Sequence, residues 1–185
     1  MDKTLGTLDI MSAVKVPPNS DMNEWIAVNT VDFYNQVSLL YETISDFCTE
    51  ISCPIMSAGP KYEYHWASKN HRKPLKLSAP EYIANMLEWT NDTFNDTTVF
   101  PPEIGTPYPK NFMAVVKKIH CRLFRVYGHI YHSHLQQIKE LDEDAHMNTS
   151  FKHFACFNKE FDLIPAKELA PMDVVISKII KKLNP

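Results

Sequence analysis

Apolar residues recur at helical spacing along most of this chain, and the breaks between those stretches mark out its elements. Asp21 followed by Glu24 has the form of a capping box, which opens a helix by satisfying orphan backbone donors. Beyond it Trp25, Val28, Phe33, Val37, Leu40, Ile44 and Phe47 keep the helical period, so a first helix is expected to run to about Asp46. Ser78-Ala79-Pro80-Glu81 is a second capping box with proline in the first turn. The helix it opens carries Tyr82, Ile83, Met86, Leu87 and Trp89 and fades near Asn95. The longest periodic segment runs from Asn111 to about Leu141, through Phe112, Val115, Val116, Ile119, Leu123, Val126, Ile130 and Ile138. Asn148 is expected to cap a further helix bearing Phe151, Phe154, Phe157 and Phe161, which Pro165 stops. Pro171 is expected to open a last amphipathic helix through Leu183.

The pattern changes between Cys48 and Leu77. Pro54, Gly59-Pro60 and Pro74 interrupt the helical period, and Tyr62, Tyr64 and Trp66 alternate with Glu63 and His65. Alternation ahead of a polar Ser68–Arg72 turn predicts a small hairpin returning through Leu75 and Leu77. Phe100–Pro109 holds four prolines and one glycine and reads as a loop. Residues 1–20, ending in Pro17-Pro18-Asn19-Ser20, read as an irregular arm, which leaves 21–185 as one helical domain. The expected architecture is all-α, a bundle with a hairpin appendage.

Composition narrows the function classes. A chain of 185 residues fits one domain. With 44% hydrophobic and 11% aromatic residues it is not a disordered chain, and with 4 glycines it is not a Gly-rich or P-loop architecture. No apolar run approaches the ~18 residues of a membrane span and no signal-type stretch follows Met1, so a soluble, intracellular protein is expected. The net charge of −3 hides a gradient. Residues 1–60 hold two lysines against eight acids, net −6; residues 61–128 hold ten cations against six acids, net +4. An acidic amino-terminal third repels nucleic acid and suits a basic protein partner.

Cys48 and Cys53 form C-x4-C at the end of the first helix, and His129, His132 and His134 form H-x2-H-x-H late in the long one. Two cysteines with two histidines satisfy tetrahedral Zn²⁺. On a regular helix His129 and His132 project about 60° apart, whereas His129 and His134 project about 140° apart. Plain geometry favours the first pair, yet H-x4-H is within the range of structural zinc sites once the helix distorts. Four protein ligands and the absence of an H-E-x-x-H arrangement point to a structural metal, not a catalytic one. Lys118, Arg122 and Arg125 share one helix face within about 60° and present the cations a phosphate would need. His129 lies one turn beyond, on almost the same face. No nucleophile has a Gly-rich elbow, and the carboxylates Glu140, Asp142, Glu143 and Asp144 read as a solvated turn, so no catalytic residue is expected.

Several long strings carry a family resemblance. Asn23-Glu24-Trp25-Ile26-Ala27-Val28-Asn29-Thr30-Val31-Asp32-Phe33, Met56-Ser57-Ala58-Gly59-Pro60-Lys61-Tyr62-Glu63-Tyr64, Arg122-Leu123-Phe124-Arg125-Val126-Tyr127, the His129–His134 cluster and Asn148-Thr149-Ser150-Phe151-Lys152-His153-Phe154 resemble the Mob/phocein family of kinase co-activators, its Mob-one branch most. The resemblance spans residue 4 to the C-terminus. It implies a helical fold around a four-helix bundle and a structural zinc on Cys48, Cys53, His129 and His134. It also implies a non-catalytic adaptor that binds the basic N-terminal region of NDR/LATS-class AGC kinases, in Hippo or mitotic-exit signalling. The kinase-facing acidic surface maps onto Glu24 and Asp32, with Asp21 close by and His153 also matching. A cytoplasmic protein with nuclear or spindle-pole association is expected.

The same branch receives a phosphothreonine peptide from an upstream kinase or scaffold. Arg122 and Arg125 match its two arginines, a lysine expected just before the first is Cys121 here, and Lys118 stands one turn back as a substitute. A phosphopeptide-binding scaffold with little kinase activation is the alternative reading. Thr4 matches a position phosphorylated in some members, although the segment ahead of it is short.

Overall fold

The computed structural model describes residues 7–183, and Thr4 lies outside them. Its elements are α1 (Thr7–Ala13), α2 (Met22–Ile44), β1 (Trp66–Ser68), β2 (His71–Leu75), α3 (Ala79–Asn95), α4 (Phe112–Ser133), α5 (Leu135–Glu140), α6 (Asp144–Phe161), α7 (Ala166–Leu169) and α8 (Asp173–Leu183). A 3₁₀ turn, Ala170–Met172, joins the last two. The four long helices α2, α3, α4 and α6 make the bundle, with α4 buried along much of its length between the others.

Both capping boxes form as the sequence predicts. Asp21 accepts the Glu24 N–H at 3.0 Å. Ser78 Oγ accepts the Glu81 N–H at 3.3 Å while the Glu81 carboxylate takes the Ser78 N–H at 3.3 Å. The helix opened by Ser78 ends at Asn95, where its pattern fades. Four boundaries differ from expectation, each for a local reason. The long segment is two helices, because His134 leaves helical geometry at φ −131°, ψ 14°. Asn148 lies inside α6, where its side chain accepts the Tyr131 hydroxyl proton at 2.6 Å. Of the acids read as a solvated turn, Glu140 ends α5, Glu143 is the N-cap of α6 and Asp144 stands in its first turn, where the positive end of the helix dipole favours carboxylates. Helix α6 ends before Pro165, because Asp162 takes left-handed geometry at φ 49°.

The hairpin is present and shorter than expected. Trp66 pairs with Leu75 and Ser68 with His71, with an irregularity between them, next to Pro74, which has no N–H to give. The Tyr62–Tyr64 stretch pairs instead with the preceding loop, through an isolated Ser57–Glu63 bridge and a Tyr64 N–H to Met56 carbonyl bond of 2.8 Å. The amino-terminal arm is not wholly irregular. Helix α1 lies against α6 and α8, Ile10 and Val14 are buried, and Trp25 Nε1 donates to the Val14 carbonyl at 3.0 Å. Isolated helices of seven residues are marginal, so tertiary docking holds this one.

Phe33 stands at the centre of the core. Its ring makes edge-on contacts with His120, His153, Phe154 and Phe157 at centroid distances of 4.9–6.0 Å. His120, fully buried, stacks on Phe154 and Phe157 and bonds Thr30 Oγ1 at 2.9 Å. Thr30 already donates to the Ile26 carbonyl, so His120 Nε2–H is the donor. Burial pushes the His120 pKa down to about 3, which keeps the ring neutral. A second polar thread runs from Tyr127 through Ser150 to Gln36, at 2.6 and 2.8 Å, and ties α4 to α6 and α2. Phe33→Ala is expected to cost about 3–5 kcal/mol in chemical denaturation, while Asn35→Ala, on the exposed face of the same helix, stays within ~0.5 kcal/mol.

Candidate functional site

The end of α2 and the end of α4 meet in a buried group of four donors. Chain leaving α2 turns through Ser45–Ser52, where Ser52 Oγ donates to the Phe47 carbonyl at 2.7 Å and accepts the Thr49 N–H at 2.9 Å. That turn brings Cys48 and Cys53 to one side. Cys48 Sγ stands 3.5 Å from His129 Nε2, and Cys53 Sγ 3.4 Å from His134 Nε2. All four residues are buried and all four ligand atoms lie within 4.8 Å of one another.

The choice among the three histidines is decided by the break in the helix. His134 Nε2 reaches the cysteines because α4 ends at Ser133 and the chain turns there. His132 points elsewhere: its Nε2–H donates to the Pro171 carbonyl at 2.8 Å, and its ring lies over Gly59. Gly59 has φ 83°, and a Cβ there would meet His132 Nδ1 at 3.0 Å, so a side chain is excluded twice over. His129 Nδ1–H donates to the Ser57 carbonyl at 2.8 Å, which fixes the tautomer and leaves Nε2 bare to face a metal. Burial lowers the His129 and His134 pKa values, His134 to about 4, so both rings are neutral ligands. Burial raises the Cys48 thiol to about 12, so a bound cation is what makes it a thiolate. Two sulfurs and two ring nitrogens in this arrangement can hold a metal ion.

The basic stripe divides. Arg122, only 5% exposed, lies between two indoles, 4.1 Å from the Trp66 ring centre and 4.3 Å from that of Trp89, and donates to the Ala67 carbonyl at 2.6 Å. Lys118 also lies over the Trp89 ring, at 5.4 Å, and burial, then the nearby Arg122 and Lys69 charges, lower its pKa. Arg125 turns to a different neighbourhood. It lies 4.7 Å over the Tyr64 ring, donates to Tyr82 Oη at 2.9 Å and pairs with Glu168 at 3.3 Å. Burial alone would lower its pKa, but Tyr82 and Glu168 outweigh that and raise it. Cys121 beside it is a neutral thiol, raised to about 11 chiefly by burial. The sequence offered no signal for Trp66, Trp89, Tyr82 or Glu168 as arginine partners, since each comes from a distant segment.

On α2, Asp21 and Asp32 are exposed and Glu24 is half-buried. Asp21 caps its helix and Glu24 accepts the Gly105 N–H at 3.1 Å; among the described residues no lysine or arginine pairs with any of the three. Glu24, Val28, Asp32, Asn35, Leu39 and Glu42 fall within about 80° on the helix, a single outward stripe. Val28 and Leu39 are each 59% exposed. His153 flanks this stripe, edge-on to Phe33 at 4.9 Å; burial lowers its pKa and Asp32 opposes the shift. These three carboxylates thus stand at or near the surface.

The family model of the Mob1/phocein family matches residues 2–172. The chain belongs to the Mob1/phocein family. It is 54% identical over 181 residues to an Arabidopsis thaliana protein named MOB kinase activator-like 1A, covering 97% of this chain and 84% of that one. It is 52% identical over 181 residues to the Dictyostelium discoideum MOB kinase activator-like 1 homolog A, covering 97% and 85%. The helical bundle, the small hairpin and the four clustered donors of this Mob1/phocein chain agree with the resemblance carried by its motifs. No helix among the described residues is long and apolar enough to cross a membrane.

His134→Ala is expected to lose bound metal and lower the thermal midpoint, whereas His132→Ala keeps its metal. Elemental analysis of the two purified variants checks this; equal metal content would show that the helix break does not select the ligand.

Proposed function

We propose that this chain is a non-catalytic co-activator of a protein kinase, of the NDR/LATS class of AGC kinases, in Hippo or mitotic-exit signalling in the cytoplasm or at the spindle pole. The observation that carries this reading is the outward stripe of α2, where Glu24, Asp32 and Glu42 alternate with the exposed Val28 and Leu39. A basic amphipathic helix from a kinase N-terminal region matches it: cations are steered by the carboxylates, and apolar side chains cover Val28 and Leu39. The stripe spans about 27 Å, the length of a partner helix of roughly eighteen residues. Helix ordering on this surface would bias the kinase towards its active arrangement through contacts made only in that state.

Zinc is the metal we assign to Cys48, Cys53, His129 and His134. Around tetrahedral Zn²⁺ a nitrogen and a sulfur ligand stand roughly 3.5 Å apart, and the two observed N···S separations are 3.5 and 3.4 Å. Four protein donors leave no position for a water or substrate, so the ion when bound supplies a cross-link and no reaction chemistry. The residues themselves hold the start of the Pro54–Pro60 loop against α4 and so set how α2 presents its stripe.

A second reading, a phosphothreonine-peptide-binding scaffold with little direct kinase activation, is supported by Arg125. Its guanidinium opens into a cleft of about 350 Å³ that Lys167 and Tyr64 also line. The buried Arg122 would then act as a support beneath the hairpin.

Charge reversal at Glu24 and Asp32 together is expected to weaken binding of the kinase N-terminal segment by at least about tenfold, with helical circular dichroism unchanged. Added salt should slow association more than it speeds dissociation. Unchanged affinity of the double variant would reject the stripe as the docking surface.

A further inference from the structure

Arg125 already holds an anion. Its Nη2 donates to both carboxylate oxygens of Glu168, at 3.3 and 3.4 Å, while its Nε is buried without an acceptor. The pair is mostly covered, with side-chain exposures of 21% and 23%. Glu168 reaches it from α7, the four-residue helix after Pro165, where the preceding residue is the exposed Lys167. Lys167 lines the same cleft, close enough to Cys121 to pull its thiol pKa down against burial, and pairs with no carboxylate among the described residues. The fourth charged group lining the cleft, besides His65, is Glu63, which is engaged by Lys76 at 3.5 Å and faces His65 at 3.6 Å.

A carboxylate on a guanidinium presents the same oxygens that a phosphate would. We propose that Glu168 is a resident competitor for Arg125, which a phosphomonoester on a partner peptide displaces, with Lys167 supplying the second cation of the cleft. This rests on the phosphothreonine-scaffold reading and adds its gate. The exchange favours phosphate because a phosphorylated side chain carries about −1.5 to −2 charges against the single charge of Glu168. A plain threonine has nothing to trade for the existing pair. A glutamate mimic offers the same charge already in place and gains little. Selectivity for true phosphate therefore comes from the carboxylate the ligand must remove, as well as from the cations that receive it.

Calorimetric titration of the full chain with one peptide in three forms (phosphothreonine, threonine and glutamate at the same position) tests this, with inorganic phosphate as a separate arm. Glu168→Gln is expected to tighten the phosphothreonine form about threefold to tenfold and leave the threonine form unchanged. Glu63→Gln removes an equal charge from the same cleft without touching Arg125 and should change affinity less than about twofold. Lys167→Ala should weaken only the phosphorylated form, by about fivefold. If the wild-type chain selects the phosphorylated form but Glu168→Gln binds it equally or more weakly, Glu168 is a strut and the inference is overturned. Equal gains from Glu63→Gln and Glu168→Gln overturn it too, since the effect is then general charge. If no form is preferred by wild type or by any variant, the phosphopeptide reading itself fails. Binding of inorganic phosphate as tight as that of the phosphopeptide overturns the peptide as the source of the anion. Circular dichroism checks each variant; if Glu168→Gln loses its fold, Glu168→Asp, whose shorter arm withdraws the carboxylate from Arg125, carries the same expectation.

Discussion

Cys48 and Cys53 meet His129 and His134 across a sequence separation of 81 residues, and that meeting fixes where two long helices end relative to each other. Bringing segments so far apart together carries a loop-closure cost, which the contacts made where they meet must offset. The loop that follows the cysteines is then laid directly on α4. Gly128 lets Ala58 approach so closely that a Cβ on the glycine would stand 3.0 Å from the alanine methyl, and Ser57 takes the His129 ring proton. From there the chain continues through Tyr64 to the hairpin, whose Trp66 covers Arg122. The positions of the hairpin and of both arginines on α4 therefore depend on the packing of that loop, which the four donors anchor.

What could be read in advance was what local chemistry determines. Asp21 and Ser78 announce their helices because a cap is made within four residues, and Gly105 among prolines announces a loop for the same reason. The break at His134 has no such sign, since neither proline nor glycine marks it; the ring turns inward because two cysteines wait there. Nor could α1 be seen, because seven residues hold a helix only when Ile10 and Val14 have a surface to enter. The metal ligands were half legible from spacing, which named the cysteines and left the histidine pair open; the family resemblance implied His129 and His134, and the helix end supplies the physical reason. For the arginines the one-dimensional pattern was right about the shared face and silent about the neighbours. Those neighbours, Trp66, Trp89, Tyr82 and Glu168, are brought in by three different elements.

Helix α4 also keeps opposite charges apart. His120 and Arg122 are two positions apart and so project about 160° from one another. The His120 side meets Thr30 of α2 and the rings of α6, an apolar and uncharged seam. The opposite side carries Arg122 and Arg125 towards α3, the hairpin and α7. The acids of α2 lie beyond the first seam, facing outward. A chain of net charge −3 thereby keeps the acids of α2 and the arginines of α4 on different sides of one helix.

The same separation explains why an internal carboxylate is found at Arg125 and, among the described residues, no lysine or arginine at Glu24 or Asp32. An exposed carboxylate keeps its hydration and costs little when left without a counter-ion. A guanidinium as covered as that of Arg125 has lost much of its water, and an uncompensated charge there costs several kcal/mol by the general measure of broken buried pairs. The fold meets that cost with Glu168, on the four-residue helix α7. Exposed carboxylates are left without a cationic partner among the described residues, and the covered guanidinium is given one. Which carboxylates stay free and which one is engaged thus follows from how deeply each partner charge is buried.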